Sequence, residues 1–128
     1  MAYISVAIGL VMHQGRILIC RRAAGSHLAG FWEFPGGKCR AGERWEACLR
    51  RELKEELGIT ADDPVRFWQG RHAYPDRTVW LMALRCRLLC GQARPRTSSE
   101  IRWVRPSDLA DYAFPPANER LMRRLTSR

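Results

Sequence analysis

The stretch Gly37-Lys38-Cys39-Arg40-Ala41-Gly42-Glu43, followed seven residues later by Arg51-Glu52-Leu53-Lys54-Glu55-Glu56-Leu57-Gly58-Ile59, decides how this 128-residue chain is read. Its second half predicts a helix from about Arg44 to Leu57, ended by Gly58 because glycine tolerates the left-handed position after a helix. At about 100° per residue, Trp45, Leu49, Leu53 and Leu57 make one apolar stripe. Glu52 and Glu56 stand one above the other along its border with Glu55 beside them, while Arg50 and Lys54 point away. Carboxylates crowded against a buried face repel one another and lose hydration. A divalent cation would offset both costs, and oxygen donors suit Mg²⁺ or Mn²⁺. A salt-bridged helix surface built from good helix formers gives the same spacing. Spacing alone leaves the two readings level.

Hydrophobic content of 46% and charged content of 27% describe a globular chain and exclude a disordered one. The length suits one domain, expected over residues 1–128. The longest apolar run, Val6 to Met12, is too short to span a bilayer and lacks the flanks of a signal peptide. It reads as a strand, no membrane partner is expected, and the cytoplasm is the expected location. Cys20, Cys39, Cys48, Cys86 and Cys90 follow no zinc or redox spacing, so most are expected to be small buried hydrophobes in a reducing compartment. The formal net charge of +9 invites a nucleic-acid partner. Yet the basic residues are scattered and no nucleic-acid-binding signature accompanies them, so polymer binding is not expected. The same field would draw in a nucleoside triphosphate.

Along the chain, Ile4, Val6, Ile8, Leu10 and Met12 alternate as in a strand, His13-Gln14-Gly15 turns, and Arg16 to Arg22 returns. Gly30 to Lys38 reads as a loop whose Pro35-Gly36-Gly37 lets the backbone approach a ligand or metal. Pro64 marks a break before two strands, Val65 to Tyr74 and Arg77 to Cys90. In the second, Trp80, Met82, Leu84, Cys86, Leu88 and Cys90 share one expected buried face. A polar loop from Gly91 to Ser99, a short strand over Ile101–Val104, a helical turn from Ser107 and a last helix after Pro115-Pro116 complete the order. Strands around a central helix, with hairpins first and a helix last, predict an α+β fold with a mixed sheet between helices.

Gly37, Glu43, Arg51, Glu52, Leu53, Glu55, Glu56, Gly58 and Ile59 occupy every constrained position of the Nudix box, and the chain resembles that superfamily. The resemblance implies the Nudix fold, an α/β/α sandwich with a central mixed sheet and a loop–helix–loop motif. It also implies hydrolysis of nucleoside diphosphate derivatives with Mg²⁺ or Mn²⁺ held by this helix. Further likeness lies in Arg21-Arg22-Ala23-Ala24, Glu33-Phe34-Pro35-Gly36-Gly37-Lys38, Pro75-Asp76-Arg77 and Phe114-Pro115-Pro116-Ala117-Asn118-Glu119, which resemble the MutT subfamily over nearly the full length.

That likeness implies a nucleoside triphosphate pyrophosphohydrolase converting 8-oxo-dGTP to 8-oxo-dGMP and pyrophosphate, which sanitises the DNA precursor pool and prevents mutation. The implied metal ligands are Glu52, Glu55, Glu56 and the Gly36 carbonyl. Arg51 would orient a neighbouring glutamate and Glu43 would hold the loop. Arg22, His27, Phe34, Asp76, Arg77 and Asn118 are the implied substrate residues. Oxidation at C8 turns N7 of guanine from acceptor to donor, and an Asn carboxamide can serve O6 and the new N7–H together. Asn118 could equally satisfy a helix N-terminus. Thr97 stands where many relatives carry a catalytic glutamate, and Glu100 or a box glutamate is the expected substitute. A small-molecule nucleotide is the expected partner of a monomer. The rivals are a small Nudix enzyme acting on other (d)NTPs such as cytidine nucleotides, a nucleotide-sensing module without turnover, and a basic nucleic-acid-binding protein.

Overall fold

The computed structural model describes residues 2–126. Its strands are β1 (Ala2–His13), β2 (Arg16–Arg21), β3 (Trp32–Glu33), β4 (Gly36–Lys38), β5 (Thr60–Tyr74), β6 (Arg77–Cys90) and β7 (Glu100–Val104). Helix α1 (Trp45–Leu57) lies between β4 and β5. Two 3₁₀ turns, Pro106–Asp111 and Pro116–Asn118, precede α2 (Glu119–Thr126). The strands form one sheet in the order β3-β2-β1-β6-β5, with β4 also paired to β1 and β7 to β2. β1 runs parallel to β6, and the other described pairings are antiparallel. A parallel pair needs a long crossover, and the chain between β1 and β6 carries α1 in that role.

The sheet is covered on both faces. Leu49, Leu53 and Leu57 of α1 pack with Ala7, Val11, Leu18 and Leu84 on one side. Leu109 and Leu121 pack with Ile8, Leu10, Ile17 and Ile19 on the other. This is the expected α/β/α sandwich, and the residues of β1 between its alternating apolar positions are buried as well. Ala7 and Val11 are as buried as Ile8 and Leu10, because a central strand has a helix layer on each side.

The helix, the β1–β2 hairpin and β6 follow the expected bounds closely. Gln14 and Gly15 both take positive φ (51° and 75°), the geometry of a two-residue hairpin turn. Three details differ. β5 begins at Thr60 and passes through Pro64, whose missing N–H is accommodated by a register shift between Asp62 and Val65. The expected buried face of β6 holds only for Met82, Leu84 and Cys86; Trp80 and Leu88 are half-buried and Cys90 is exposed. A helix the length of α1 reaches about 20 Å, whereas a strand the length of β6 runs about 45 Å, so its ends outreach the cover. Finally, Trp32–Glu33 and Gly36–Lys38 are short strands where a loop was expected. Gly36 opposes Ile8 across the β1–β4 pairing, and a Cβ there would run into the Ala7 carbonyl oxygen.

Candidate active site

Two glycines let the box close. Gly58 takes φ 70° and ends α1, its N–H directed to the carbonyls of Leu53 and Lys54. A side chain at Gly37 would place its Cβ 2.5 Å from the Glu52 carboxylate, so any larger residue there would displace that group from its present position. The loop between β4 and α1 is then pinned by Arg51. Its Nε donates to Glu43 Oε2 at 2.8 Å and its Nη2 to Glu43 Oε1 at 2.8 Å, a two-point grip on one carboxylate. Nη2 also donates to the Lys38 carbonyl at 3.0 Å. Nη1 donates to Glu52 at 2.8 Å and to Glu55 at 3.2 Å. Glu43 accepts the Arg40 N–H as well, and the Arg51 guanidinium holds its carboxyl down at about 2. Arg51 therefore ties loop and helix together.

Glu56 has a different environment. Burial, then the charges of Glu52 and Glu33, push its carboxyl up to about 7, against a hydrogen bond from the Gly36 backbone. A half-buried carboxylate facing like charge is an acceptor lacking a cation, and the charged groups nearest it, Glu52, Glu55 and Glu33, offer carboxylate oxygens. That chemistry fits a hard divalent ion. Glu52 and Glu55 share the Arg51 guanidinium, and the charges of both act on Glu56. The oxygens of the three do not form a group lying within 4.8 Å of one another; among the described residues only Cys39, Glu43 and Cys48 do so. The physical reason is that Arg51 draws Glu52 and Glu55 toward the loop while like charge separates them from Glu56.

A cleft of about 200 Å³ opens on the α2 side of the sheet, with Glu33 as the carboxylate in its lining. Arg22, His27, Phe34, Arg77 and Asn118 all line it. Phe34 is 2% exposed and packs on Phe114 with ring centroids 5.0 Å apart. Asn118 is 8% exposed, held where the second 3₁₀ turn meets α2. Arg77 lies 5.7 Å from the Tyr74 ring, and its buried Nε has no hydrogen-bond partner. A buried donor left unpaired is costly, so a ligand acceptor there would be bound with little further desolvation. Arg22 donates to Glu33 at 2.8 Å and to the His27 carbonyl, which shapes the loop at the cleft mouth. Asp76 is not brought in; it occupies the exposed turn between β5 and β6.

A second cavity of about 200 Å³ joins Glu56 to Cys20, Glu33, Thr97 and Ser98. Thr97 thus stands beside the acidic helix with no carboxylate to offer. Glu100 does not replace it, because Arg21 and Arg102 hold its two oxygens at 3.3 and 3.1 Å. Glu33 is not among the residues expected in the site, yet it lines both cavities and pairs with Arg22. Its signal was present in the Glu33-Phe34-Pro35-Gly36-Gly37-Lys38 segment. Arg71, His72 and Tyr74 also reach the cleft, with nothing local in sequence to mark them.

A family model for the NUDIX domain matches residues 6–124. The chain belongs to this family. It is a Nudix hydrolase, and members of the family generally need a divalent metal. The 8-oxo-dGTP diphosphatase of Haemophilus influenzae is 36% identical over 95% of this chain and 90% of its own. The CTP pyrophosphohydrolase of Escherichia coli is 31% identical over 92% and 87%. A solved MutT structure, from work on the Aliivibrio salmonicida and Vibrio cholerae proteins, superposes with a TM-score of 0.81 at 31% identity. It covers 98% of this chain and 97% of that one. The sandwich is therefore the Nudix fold, and the activity class is nucleotide pyrophosphohydrolysis. No helix among the described residues is long and apolar enough to cross a membrane.

Proposed function

We propose that this Nudix hydrolase cleaves oxidised purine nucleoside triphosphates, 8-oxo-dGTP to 8-oxo-dGMP and pyrophosphate, with Mg²⁺ as the working ion. The observation carrying this reading is Asn118, buried on the wall of the cleft together with Phe34 and Arg77. A carboxamide there gives its NH₂ to O6 and accepts the N7–H that exists only after oxidation. With normal guanine its carbonyl would face a lone pair, an unpaired contact that discriminates strongly. Phe34 offers an apolar wall to the purine. Arg22, Arg71 and Arg77 outnumber Glu33 around the cleft, which suits a polyanion.

Glu52, Glu55, Glu56 and the Gly36 carbonyl would hold Mg²⁺, which when bound neutralises charge developing on the phosphates and acidifies a water. The chain's own part is positional. Arg51 keeps Glu43 and the loop against α1 and orients Glu52. With Thr97 uncharged and both Glu100 oxygens engaged elsewhere, the carboxylates in the second cavity that can accept the water's proton are Glu56 and the Glu33 oxygen not held by Arg22. His27 and Asp76 stay outside this assignment, one exposed at the mouth and the other in the β5–β6 turn.

The relative acting on CTP favours a second reading, in which the same machinery serves a pyrimidine. Pyrophosphate release from 8-oxo-dGTP, dGTP and CTP at fixed Mg²⁺ separates the two. A preference of about a hundredfold in kcat/KM for 8-oxo-dGTP over dGTP, lost in Asn118→Ala, is expected. Equal turnover of dGTP and 8-oxo-dGTP, or a preference for CTP, would sink the purine reading and leave the hydrolase.

A further inference from the structure

Cys39 and Cys48 are nine positions apart in sequence, and their spacing matches no metal motif. The fold nevertheless brings their sulfurs and a Glu43 oxygen within 4.8 Å of one another. Each is placed by backbone contacts. The Cys39 N–H donates to the Ser5 carbonyl at 2.8 Å, which fastens the loop to β1. The Cys48 N–H donates to the Arg44 carbonyl at 2.8 Å, and its Sγ lies 3.6 Å from the Gly37 carbonyl, in the interior of α1 packing. Cys48 is fully buried, Cys39 half-buried, and both are free thiols. Glu43 is fixed by Arg51 and the Arg40 N–H. A carboxylate has about four lone-pair positions, so one remains for a further partner. Cys39 and Glu43 also line an open groove with Ser5, Lys38 and Trp45, which supplies an entry path and room for a fourth ligand.

We propose that Cys39, Glu43 and Cys48 form a binding site for one thiophilic divalent ion, Zn²⁺ or Cd²⁺, separate from the Glu52, Glu55 and Glu56 carboxylates. Zn–S bonds of about 2.3 Å in tetrahedral array put two sulfurs about 3.8 Å apart, so small side-chain rotations suffice. Soft sulfur donors select against Mg²⁺, which keeps the two sites chemically distinct. As the ion enters, both thiols lose their protons to solvent, and two thiolates with one carboxylate outweigh its charge beside the Arg51 guanidinium. The bound ion then bridges the loop and α1 next to the Arg51–Glu43 contact.

Titration of the reduced protein with Cd²⁺ in about a hundredfold excess of Mg²⁺ tests this, read by the ultraviolet cadmium–thiolate band. Saturation at one ion per chain is expected, with Cys39→Ser weakening it by about tenfold or more and Cys90→Ser leaving it unchanged. Cys48 is a core position, so Cys39→Ser on the half-buried loop is the deciding variant, its fold checked by circular dichroism. A missing band in the unaltered protein, a band unchanged in Cys39→Ser, or one that requires Cys90 would each overturn the site.

Discussion

Arg51 makes the glutamates of its own helix unequal. It donates to Glu52 and Glu55, whereas Glu56 is left to burial and like charge, with its carboxyl near 7 instead of 4.5. Metal binding needs the ionised form, so Mg²⁺ affinity is expected to fall as pH drops through about 7 and binding to release a proton. Calorimetry at pH 6.5 in two buffers of different ionisation enthalpy would read that proton, and Glu56→Gln should remove it. Without metal the sign for stability is the reverse of the usual carboxylate. A raised folded pKa favours the protonated form, so this group costs nothing below 4.5, destabilises progressively as pH rises from 4.5 to about 7, and by a constant amount above that. Glu56→Gln should therefore raise the melting temperature of the metal-free protein more at pH 8 than at pH 4.5. A constant difference across that range would refute the assignment. At this scale the box residues were legible because each sits a fixed number of positions from the next on one helix. Glu33, Cys20 and Ser98 were not, because β2, β3 and the loop before β7 bring them to Glu56 from separate parts of the chain.

Helix α1 begins without a side-chain cap, Arg44 serving only through its backbone, and its stability is drawn from the buried stripe and from its C-terminal end. There the loop after β6 docks. The Arg94 and Arg96 N–H groups donate to the Leu57 and Glu56 carbonyls at 3.1 and 3.2 Å. Arg96 Nη1 donates to the Lys54 and Glu55 carbonyls at 3.2 and 3.4 Å, a cation at the negative end of the helix dipole. Arg96→Ala is expected to cost about 1 kcal/mol, seen as a lower urea midpoint with unchanged m-value. Arg94→Ala, which keeps the backbone contacts, should cost less; equal effects would rule out the side-chain cap. Leu53→Ala tests the stripe itself and should cost about 2–5 kcal/mol. The helix was readable from its period and its terminal glycine. The docking of residues 91–99 was not, because backbone-to-carbonyl contacts carry no sequence pattern.

Across the whole molecule the positive charge is distributed, yet the cleft lined by Asn118 carries three arginines against one glutamate. Long-range attraction for a triphosphate follows and is screened by salt, with a Debye length near 10 Å at about 0.1 M. Raising ionic strength at constant free Mg²⁺ should raise KM for the nucleotide several-fold while leaving kcat nearly constant; a fall in kcat alone would point to the chemical step instead. The sequence by itself determined the fold class, the acidic helix with its closing glycine, and the likeness that names the reaction class, since all three rest on local period and motif spacing. Only the tertiary structure decided which face of each central strand is covered and that Asp76 and Glu100 stand apart from the site. It alone placed Glu33 between the two cavities and closed Cys39, Glu43 and Cys48 into one cluster. These depend on strand pairing and on how α1 and α2 sandwich the sheet, contacts between residues far apart in the chain that no local pattern encodes.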